Sequence, residues 1–353
     1  MEQEREKVLH FCCPNCGGTV KWNISKQQLE CTSCRTLFFP NAGYAPVREH
    51  DYASYPEQEQ QQVSFPEQTE ITCASCGAQI VFGAQDTAAV CPMCGSGQVM
   101  EDRQNAGVPP DGLIPFRIDE TAARQAFQRW VSSLSFAPGR LKRERQQGKM
   151  VGVYLPFWTF DTRAEACYSG RGGEDYRDSD DNTQTRWTDV QGSLTMRYDD
   201  LPVCAATGPV RDLIAGILPY STQEGSVPYD SAYLSGFLAQ RYAVGADTAL
   251  GWAKEGIRKS LVSVAEQQIK DRGYERAEVK SLGVELYDVG YKHLLLPAWV
   301  STFAYRGKSY LYLVNGETGK VAGGRPYSIP KLVAAILAGL AVLTLVILVL
   351  TAG

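Results

Sequence analysis

The hydrophobic and polar positions divide the chain into segments of clearly different pattern. The most apolar segment runs from Leu332 to Leu350, nineteen residues that carry no charge and only one hydroxyl. At 1.5 Å per residue a helix of this length covers about 28 Å, close to the hydrocarbon thickness of a bilayer, about 30 Å. We therefore expect one transmembrane helix within a C-terminal tail anchor, residues 326–353.

Two segments carry apolar residues at three- and four-residue spacing, which is typical of amphipathic helices. The first opens at Asp119-Glu120-Thr121, where acidic residues suit a helix N-terminus, and the second runs from about Asp247 to Arg272. Aromatic and β-branched runs on both flanks predict strands. Helices flanked by strands indicate an α+β domain, which we place at residues 105–325.

Two of the predicted strands share a Leu-Pro-x-Trp string. It reads Leu155-Pro156-Phe157-Trp158 in the first copy and Leu296-Pro297-Ala298-Trp299 in the second, and alternating polar and apolar residues follow each copy. We expect a duplicated β unit, with a chance match of the string as the alternative. By contrast, Gly170 to Asp181 is rich in Gly, Asp and Arg, which predicts a mobile loop.

Residues 41–69 are too polar to bury a core. They contain three prolines and the run from Glu57 to Gln62, which is made only of Glu and Gln. This composition is typical of a flexible linker. We therefore expect two separate modules, residues 1–40 and residues 70–104, joined by the linker.

Each module contains two Cys-x-x-Cys pairs separated by fourteen residues, and every cysteine of the first module recurs 60 positions later. Two such pairs suit a tetrahedral metal because each tight turn presents two thiolates and the intervening hairpin closes the site. The register selects Cys13 and leaves the adjacent Cys12 as a bystander. The predicted ligands are Cys13, Cys16, Cys31 and Cys34 in the first ribbon, and Cys73, Cys76, Cys91 and Cys94 in the second.

A closed four-cysteine site leaves no coordination position open, so it stabilises a fold and does not activate water. We expect two structural Zn²⁺ ions, one in each ribbon, with iron in a rubredoxin-like site as the alternative. Residues 1–104 hold seven Lys and Arg but thirteen Asp and Glu. Each zinc bound by four thiolates adds about −2 to this charge. Such acidity disfavours contact with nucleic acid and favours contact with protein.

A basic run from Arg140 to Arg145 lies outside these acidic modules. It is consistent with a solvated loop, and also with contact to anionic lipid or nucleic acid. A membrane-tethered nucleic-acid-binding protein that uses this run is the alternative function.

Several features indicate where the domain lies. The first ten residues include three Glu and no apolar run, so we expect no secretory signal peptide. Arg325 and Lys331 precede the apolar span, which by the positive-inside rule places the large N-terminal part in the cytoplasm of a single-pass membrane protein. Ala335 and Gly339 form a small-xxx-small pair, a pattern that supports helix pairing and hence a homo-oligomer.

The chain lacks the motifs of common enzyme classes. It has no phosphate-binding loop with a Gly-Lys-Ser/Thr ending and no His-Glu-x-x-His or Gly-x-Ser-x-Gly string. The three histidines, His10, His50 and His293, lie outside any such motif, and Asp161 with Glu165 is a weak carboxylate pair. We expect neither catalysis nor helicase activity.

Several strings in the chain resemble bacterial TFIIB-type zinc-ribbon membrane proteins. They are the cysteine ribbons, Ile114-Pro115-Phe116, Phe136-Ala137-Pro138, Tyr154 to Trp158, and Tyr233 to Phe237. Relatives of this kind are sometimes named for the primosomal replication helicase. Some resemble components of envelope-stress systems beside phage-shock-protein-A-like and SPFH-like partners. The resemblance implies a membrane-anchored, zinc-binding scaffold or adaptor that docks cytoplasmic protein partners at the membrane.

Overall fold

The computed structural model describes most of the chain. The described residues are 8–9, 12–40, 46–55, 68–72, 79–83, 86–90, 97–100, 107–139, 148–179, 181–206 and 208–352. Within them the fold is a mixed α+β arrangement, as predicted, and it is dominated by one large sheet with smaller sheets beside it.

The strands and helices have the following bounds. The strands are β1 Val8–Leu9, β2 Val20–Asn23, β3 Gln28–Cys31, β4 Leu37–Phe38, β5 His50–Asp51, β6 Gln68–Thr72, β7 Gln79–Gly83, β8 Asp86–Val90, β9 Gly97–Met100, β10 Gly112–Leu113, β11 Val151–Arg177, β12 Thr183–Cys204, β13 Val227–Pro228, β14 Leu238–Gln240, β15 Arg276–Tyr305, β16 Lys308–Asn315 and β17 Val321–Gly323. The helices are α1 Glu120–Ser133, α2 Pro209–Ile214, α3 Ala246–Lys270 and α4 Ile329–Ala352.

Both predicted amphipathic helices are confirmed. In α1 the side chain of Asp119 caps the first turn by accepting a hydrogen bond from the N–H of Ala122. The apolar positions of α1 are buried, with Phe127 stacked on Tyr312 of β16 at a ring separation of 3.9 Å. In α3 the apolar stripe is buried along the whole helix. The helices are therefore held by one apolar face against the sheet.

The two Leu-Pro-x-Trp strings lie in neighbouring strands and pair with each other. β11 and β15 are antiparallel, and Leu155 lies opposite Leu296, its equivalent in the other copy. Pro156 lies opposite Leu295 and Tyr154 opposite Pro297, so the pairing is the same when the two copies are exchanged. The repeat in the sequence corresponds to a local pseudo-two-fold axis through the Leu155 and Leu296 pair.

The symmetry extends to the neighbouring strands. β14 runs parallel to β11 with Leu238 opposite Val153, and β10 runs parallel to β15 with Gly112 opposite Leu294. Val153 and Leu294 are equivalent positions of the two copies. The order short strand, helix, long strand and return strand therefore occurs twice, as β10-α1-β11-β12 and as β14-α3-β15-β16. The duplicated unit includes a helix as well as the predicted strands.

The repeated tryptophans fix each helix to the sheet in the same way. The indole N–H of Trp299 donates to the carbonyl of Ile118, just before α1, at 2.7 Å. The indole N–H of Trp158 donates to the carbonyl of Val244, just before α3, at 2.8 Å. Because both indoles are buried, these bonds satisfy polar groups that would otherwise be costly to bury.

The two halves differ in length. Beyond the symmetric core, Asp161–Arg177, Thr183–Leu201 and Arg276–Tyr291 form a three-stranded extension with β11 in the middle, which we call the arm. One face of the arm is covered by the apolar side of α3, and its other face carries polar side chains. At about 3.3 Å per residue the arm extends about 50 Å from the core.

The prediction of a mobile loop at Gly170 to Asp181 is wrong for residues 170–177, which lie in β11 within the arm. The glycines there allow close packing. A Cβ atom at Gly170 would collide with the backbone oxygen of Glu278, and one at Gly172 would collide with the ring of Tyr274. Glycine in this stretch therefore indicates tight contact with neighbouring chain.

The last helix, α4, follows β17 and the segment 324–328. The described side chains of this helix, at residues 329–331, 333–334 and 336–344, are exposed. Among the residues that the structure describes, no helix is both long enough and apolar enough to cross a membrane. The transmembrane role of α4 stays a prediction.

Candidate metal centre

Four predicted ligands of the first ribbon converge on one point. The Sγ atoms of Cys13, Cys16, Cys31 and Cys34 all lie within 4.8 Å of one another. Cys13 Sγ is 3.6 Å from Cys34 Sγ, and Cys16 Sγ is 3.5 Å from Cys31 Sγ. Four sulfurs at about 2.3 Å from a tetrahedral metal are separated by about 3.8 Å. This cysteine group therefore has the geometry to hold one metal ion.

The backbone around each Cys-x-x-Cys turn prepares the site. The residues that follow the two turns, Gly17 and Arg35, have positive φ angles of 71° and 62°. Within the turns, the N–H of Asn15 donates to Cys13 Sγ at 3.4 Å, and the N–H of Cys34 donates to Cys31 Sγ at 3.5 Å. Such N–H donors favour the thiolate, the form that ligates metal.

The hydrogen bonds also change thiol acidity. The hydroxyl of Thr36 beside Cys34 lowers the pKa of that thiol to about 5, and the N–H of Cys34 lowers the pKa of Cys31. The Cys34 thiolate is therefore available near neutral pH, whereas hydrogen bonds with the neighbouring thiols raise the pKa of Cys16. Four thiolates fit Zn²⁺ and also iron, and in either case the coordination sphere is closed.

The other cysteine predictions have different outcomes. Cys12 is exposed and is not part of the four-cysteine group, as predicted. Cys73, Cys76, Cys91 and Cys94 lie outside the described residues, so the second metal site stays a prediction. Among the described strands of the second module, β8 and β9 join the large sheet, where β8 pairs with β14, whereas β7 pairs with β6 in a separate two-stranded sheet.

The first ribbon is packed against the α+β domain. The indole of Trp22 lies 4.7 Å from the ring of Tyr233, and its N–H donates to the carbonyl of Phe116 at 3.4 Å. Gln27 donates to the same carbonyl at 2.9 Å. The ribbon is therefore part of the main core, together with buried Val20 and Leu29, and a metal ion held by its cysteines would stabilise it.

Residues 46–55, within the predicted flexible linker, also contact this domain, which differs from the prediction for that part of the linker. β5 pairs with β15 at Tyr291, and the ring of Tyr55 meets Trp158 edge-on at 6.1 Å. His50 Nε2 is 2.7 Å from Asp111 Oδ1. The linker composition did not indicate this contact because the few aromatic residues that make it are dispersed among polar ones.

A buried polar cluster lies beneath this segment. Lys292 Nζ is 2.6 Å from Asp200 Oδ1 and 2.9 Å from Glu49 Oε1. The N–H of Asp200 donates to Asp161 Oδ1 at 2.5 Å. Burial raises the pKa of Asp161 to about 6, while the hydrogen bond from Lys292 lowers the pKa of Glu49. The cluster holds segment 46–55 against β15 through a charge pair.

The remaining candidates have structural partners. Burial lowers the pKa of His293 to about 4, so its ring is neutral, and its Nδ1 is 3.0 Å from the carbonyl oxygen of Val108. Asp161 contacts the polar cluster, whereas Glu165 pairs with Arg163. These residues act in packing and pairing within the described part of the chain.

Comparison with known proteins gives one informative match. No family model matches the chain. No solved structure matches it. A Bacillus subtilis (strain 168) protein with the name "Uncharacterized protein YdjG" is 27% identical over 331 residues, which cover 93% of each chain. The similarity therefore covers most of the length of both proteins.

Proposed function

We propose that this protein is a membrane-anchored, zinc-binding, non-enzymatic scaffold that docks cytoplasmic protein partners at the membrane, in an envelope-stress setting of the kind that the sequence resemblance implies. The observation that carries the proposal is the exposure of the apolar side chains of α4. Its described apolar side chains are exposed on opposite sides of the helix, for example Leu340 at 54% and Val342 at 62%. A helix that is apolar all round needs an apolar environment. The packed domain does not supply one to these side chains, and a bilayer would.

The cysteine site supports a structural use of zinc. A closed four-thiolate centre has no position for substrate or water, and it stabilises the ribbon whose Trp22 packs on Tyr233. The proposal assigns one zinc to this site and a second to Cys73, Cys76, Cys91 and Cys94.

The arm supports the docking part of the proposal. Its uncovered face presents exposed side chains such as Thr195, Arg197 and Glu285 on a rigid sheet. The arm lies at one end of the β11 and β15 pair. At the other end Val151 lies opposite Val300, and this is the end nearer α4. A partner bound to the arm would be held away from the bilayer.

Membrane fractionation tests the anchor. The full chain should stay in the membrane pellet after alkaline extraction, and a chain truncated after Ser328 should move to the supernatant. Protease added to sealed, inside-out vesicles should digest the domain, which checks its cytoplasmic side. Recovery of the full chain in the soluble fraction would refute the anchor.

Site-specific photo-crosslinking tests docking. A photoreactive residue at Thr195, on the uncovered face of the arm, should yield a discrete adduct with another protein in intact cells. The matched control is the same residue at Lys259, on the exposed side of α3. Equal adducts from both positions, or none from Thr195, would contradict docking through the arm.

A further inference from the structure

The base of α4 is fixed against the α+β domain at one end of the sheet. The N–H of Gly324 donates to the carbonyl of Leu311, which extends the pairing of β17 with β16. The N–H of Ser328 donates to the carbonyl of Phe136, and Lys331 Nζ donates to the carbonyl of Ala137 at 2.9 Å. The start of α4 therefore has a defined position beside the end of α1.

A tight hairpin turn lies at the same end. β15 and β16 are joined by Arg306 and Gly307, both with positive φ, in the conformation that two-residue hairpins favour. Gly324 lies beside Leu311, and the start of β16, where the turn ends, is about 10 Å from Leu311. Lys149 reaches the same end because its carbonyl accepts a hydrogen bond from the hydroxyl of Ser301.

Five cations share this end, and none forms an ion pair with a described carboxylate. We call them the basal surface: Lys149, Arg306, Lys308, Arg325 and Lys331, all exposed. On the arm, Arg163, Arg171, Arg276 and Lys280 each contact a carboxylate. Arg186 and Arg197 of the arm form no ion pair with a described carboxylate. Unpaired positive charge is therefore present where α4 begins.

A groove of about 340 Å³ opens beside the basal surface. Trp130, Phe136 and Tyr327 supply aromatic rings, and Arg325 supplies a cation whose Nε donates to the Tyr327 hydroxyl at 3.3 Å. Phe136 is 41% exposed and Tyr327 is 57% exposed. Aromatic rings next to cations are typical of surfaces that sit at the headgroup level of a membrane.

We propose that the basal surface and the adjoining groove bind the headgroups of anionic phospholipids, so that this end of the domain lies on the bilayer. The proposal rests on the proposed anchoring by α4. The unpaired cations argue for an anionic partner, and the fixed base of α4 brings the membrane surface to them. Each basic residue near an anionic bilayer contributes about 1 kcal/mol of attraction. The contact would set the orientation of the domain and of the arm relative to the membrane.

Hydrogen exchange of the full chain in lipid nanodiscs tests this inference. Discs of phosphatidylcholine are compared with discs that also contain phosphatidylglycerol, and the readout is amide exchange in the peptide that spans residues 301–311. In the wild type, anionic lipid should slow exchange at the turn by up to about thirty-fold, the effect of two basic residues at ~1 kcal/mol each.

The test variant is Arg306→Glu with Lys308→Glu, which should lose the lipid dependence. Its matched control is Lys254→Glu with Arg258→Glu, which makes the same charge change on the exposed side of α3 and should keep the lipid dependence. Equal exchange of the wild-type turn in both discs would overturn the inference and leave the anchor intact. Failure of the full chain to enter discs would refute both.

Two further results would also count against binding of anionic lipid by the basal surface. If the control variant loses the effect as fully as the test variant, the attraction is a property of net charge and the basal surface has no special part. If duplex DNA protects the turn in phosphatidylcholine discs and anionic lipid does not, the surface is a nucleic-acid site.

Discussion

Replacing Lys292 by methionine removes the ammonium group from the buried polar cluster. The Lys292 side chain is 7% exposed and the side chain of its partner Asp200 is 2% exposed. The 2.6 Å contact between Lys292 Nζ and Asp200 Oδ1 is held by the attraction of opposite charges, because Asp200 Oδ1 makes no well-directed hydrogen bond. Methionine has a similar shape, so the substitution leaves little cavity and mainly leaves the Asp200 carboxylate buried without a counter-charge.

The structure allows the size of the effect to be worked out. Truncating one partner of a buried ion pair costs about 3–5 kcal/mol, because the remaining charge stays desolvated. Glu49, the second partner of Lys292, is 54% exposed, so its share is small. A change of 1 kcal/mol shifts Tm by about 2–4 °C in a domain of this size, which predicts a decrease of about 6–20 °C for Lys292→Met.

A control for this prediction lies on the same strand. Lys280 pairs with Asp189 at 2.8 Å, but the two side chains are 49% and 84% exposed. Exposed pairs contribute about 0–1 kcal/mol, so Lys280→Met should lower Tm by less than about 4 °C. Near-ultraviolet circular dichroism of the detergent-solubilised full chain, at neutral pH, measures both transitions. Equal shifts for the two variants would refute the argument from burial.

Three other predictions follow from individual contacts. Because burial raises the pKa of Asp161 to about 6, its charged form is disfavoured in the folded state. Asp161→Asn should therefore raise Tm above that of the wild type at pH 7.5. The gain should vanish by about pH 4, where the wild-type carboxyl is protonated and uncharged. A gain in Tm that does not depend on pH would contradict this reasoning. Cys13→Ser should lower the zinc content found by elemental analysis by about one ion per chain, and Cys12→Ser should leave it unchanged. Trp299→Phe leaves a buried carbonyl without its donor and should cost about 1–3 kcal/mol in chemical unfolding, whereas Trp187→Phe, on the arm at 38% exposure, should cost little.

Patterns with a short period could be predicted from the sequence. The stripes of α1 and α3 and the spacing of Cys13 to Cys34 each specify local geometry, and the structure has all three. The Leu-Pro-x-Trp strings indicated a repeat but not that the two copies pair with each other. That pairing joins residues 141 positions apart, and no local preference encodes it.

The contacts missed from the sequence depend on single polar residues in apolar strands. Lys292 interrupts the apolar start of the second copy, which was a signal that some counter-charge must be buried with it. The identity of its partners, Asp200 and Glu49, depends on how β12 and segment 46–55 lie in the fold. The glycines at 170 and 172 were misinterpreted for a related reason, since composition alone does not separate a mobile glycine from one packed against neighbouring chain.

The unequal halves give the proposed scaffold a direction. The pseudo-two-fold axis passes between Leu155 and Leu296, and it would place similar extensions at both ends of the β11 and β15 pair. Instead the strands extend as the arm at one end and stop at the Arg306 turn at the other. The arm has most of its cations paired with carboxylates and has α3 on one face, whereas the basal surface has unpaired cations and the start of α4. If the basal surface lies on the bilayer, the same strands that define the core carry the arm about 50 Å away from it. Divergence of the two halves would thus produce an anchored end and a docking end from one duplicated unit.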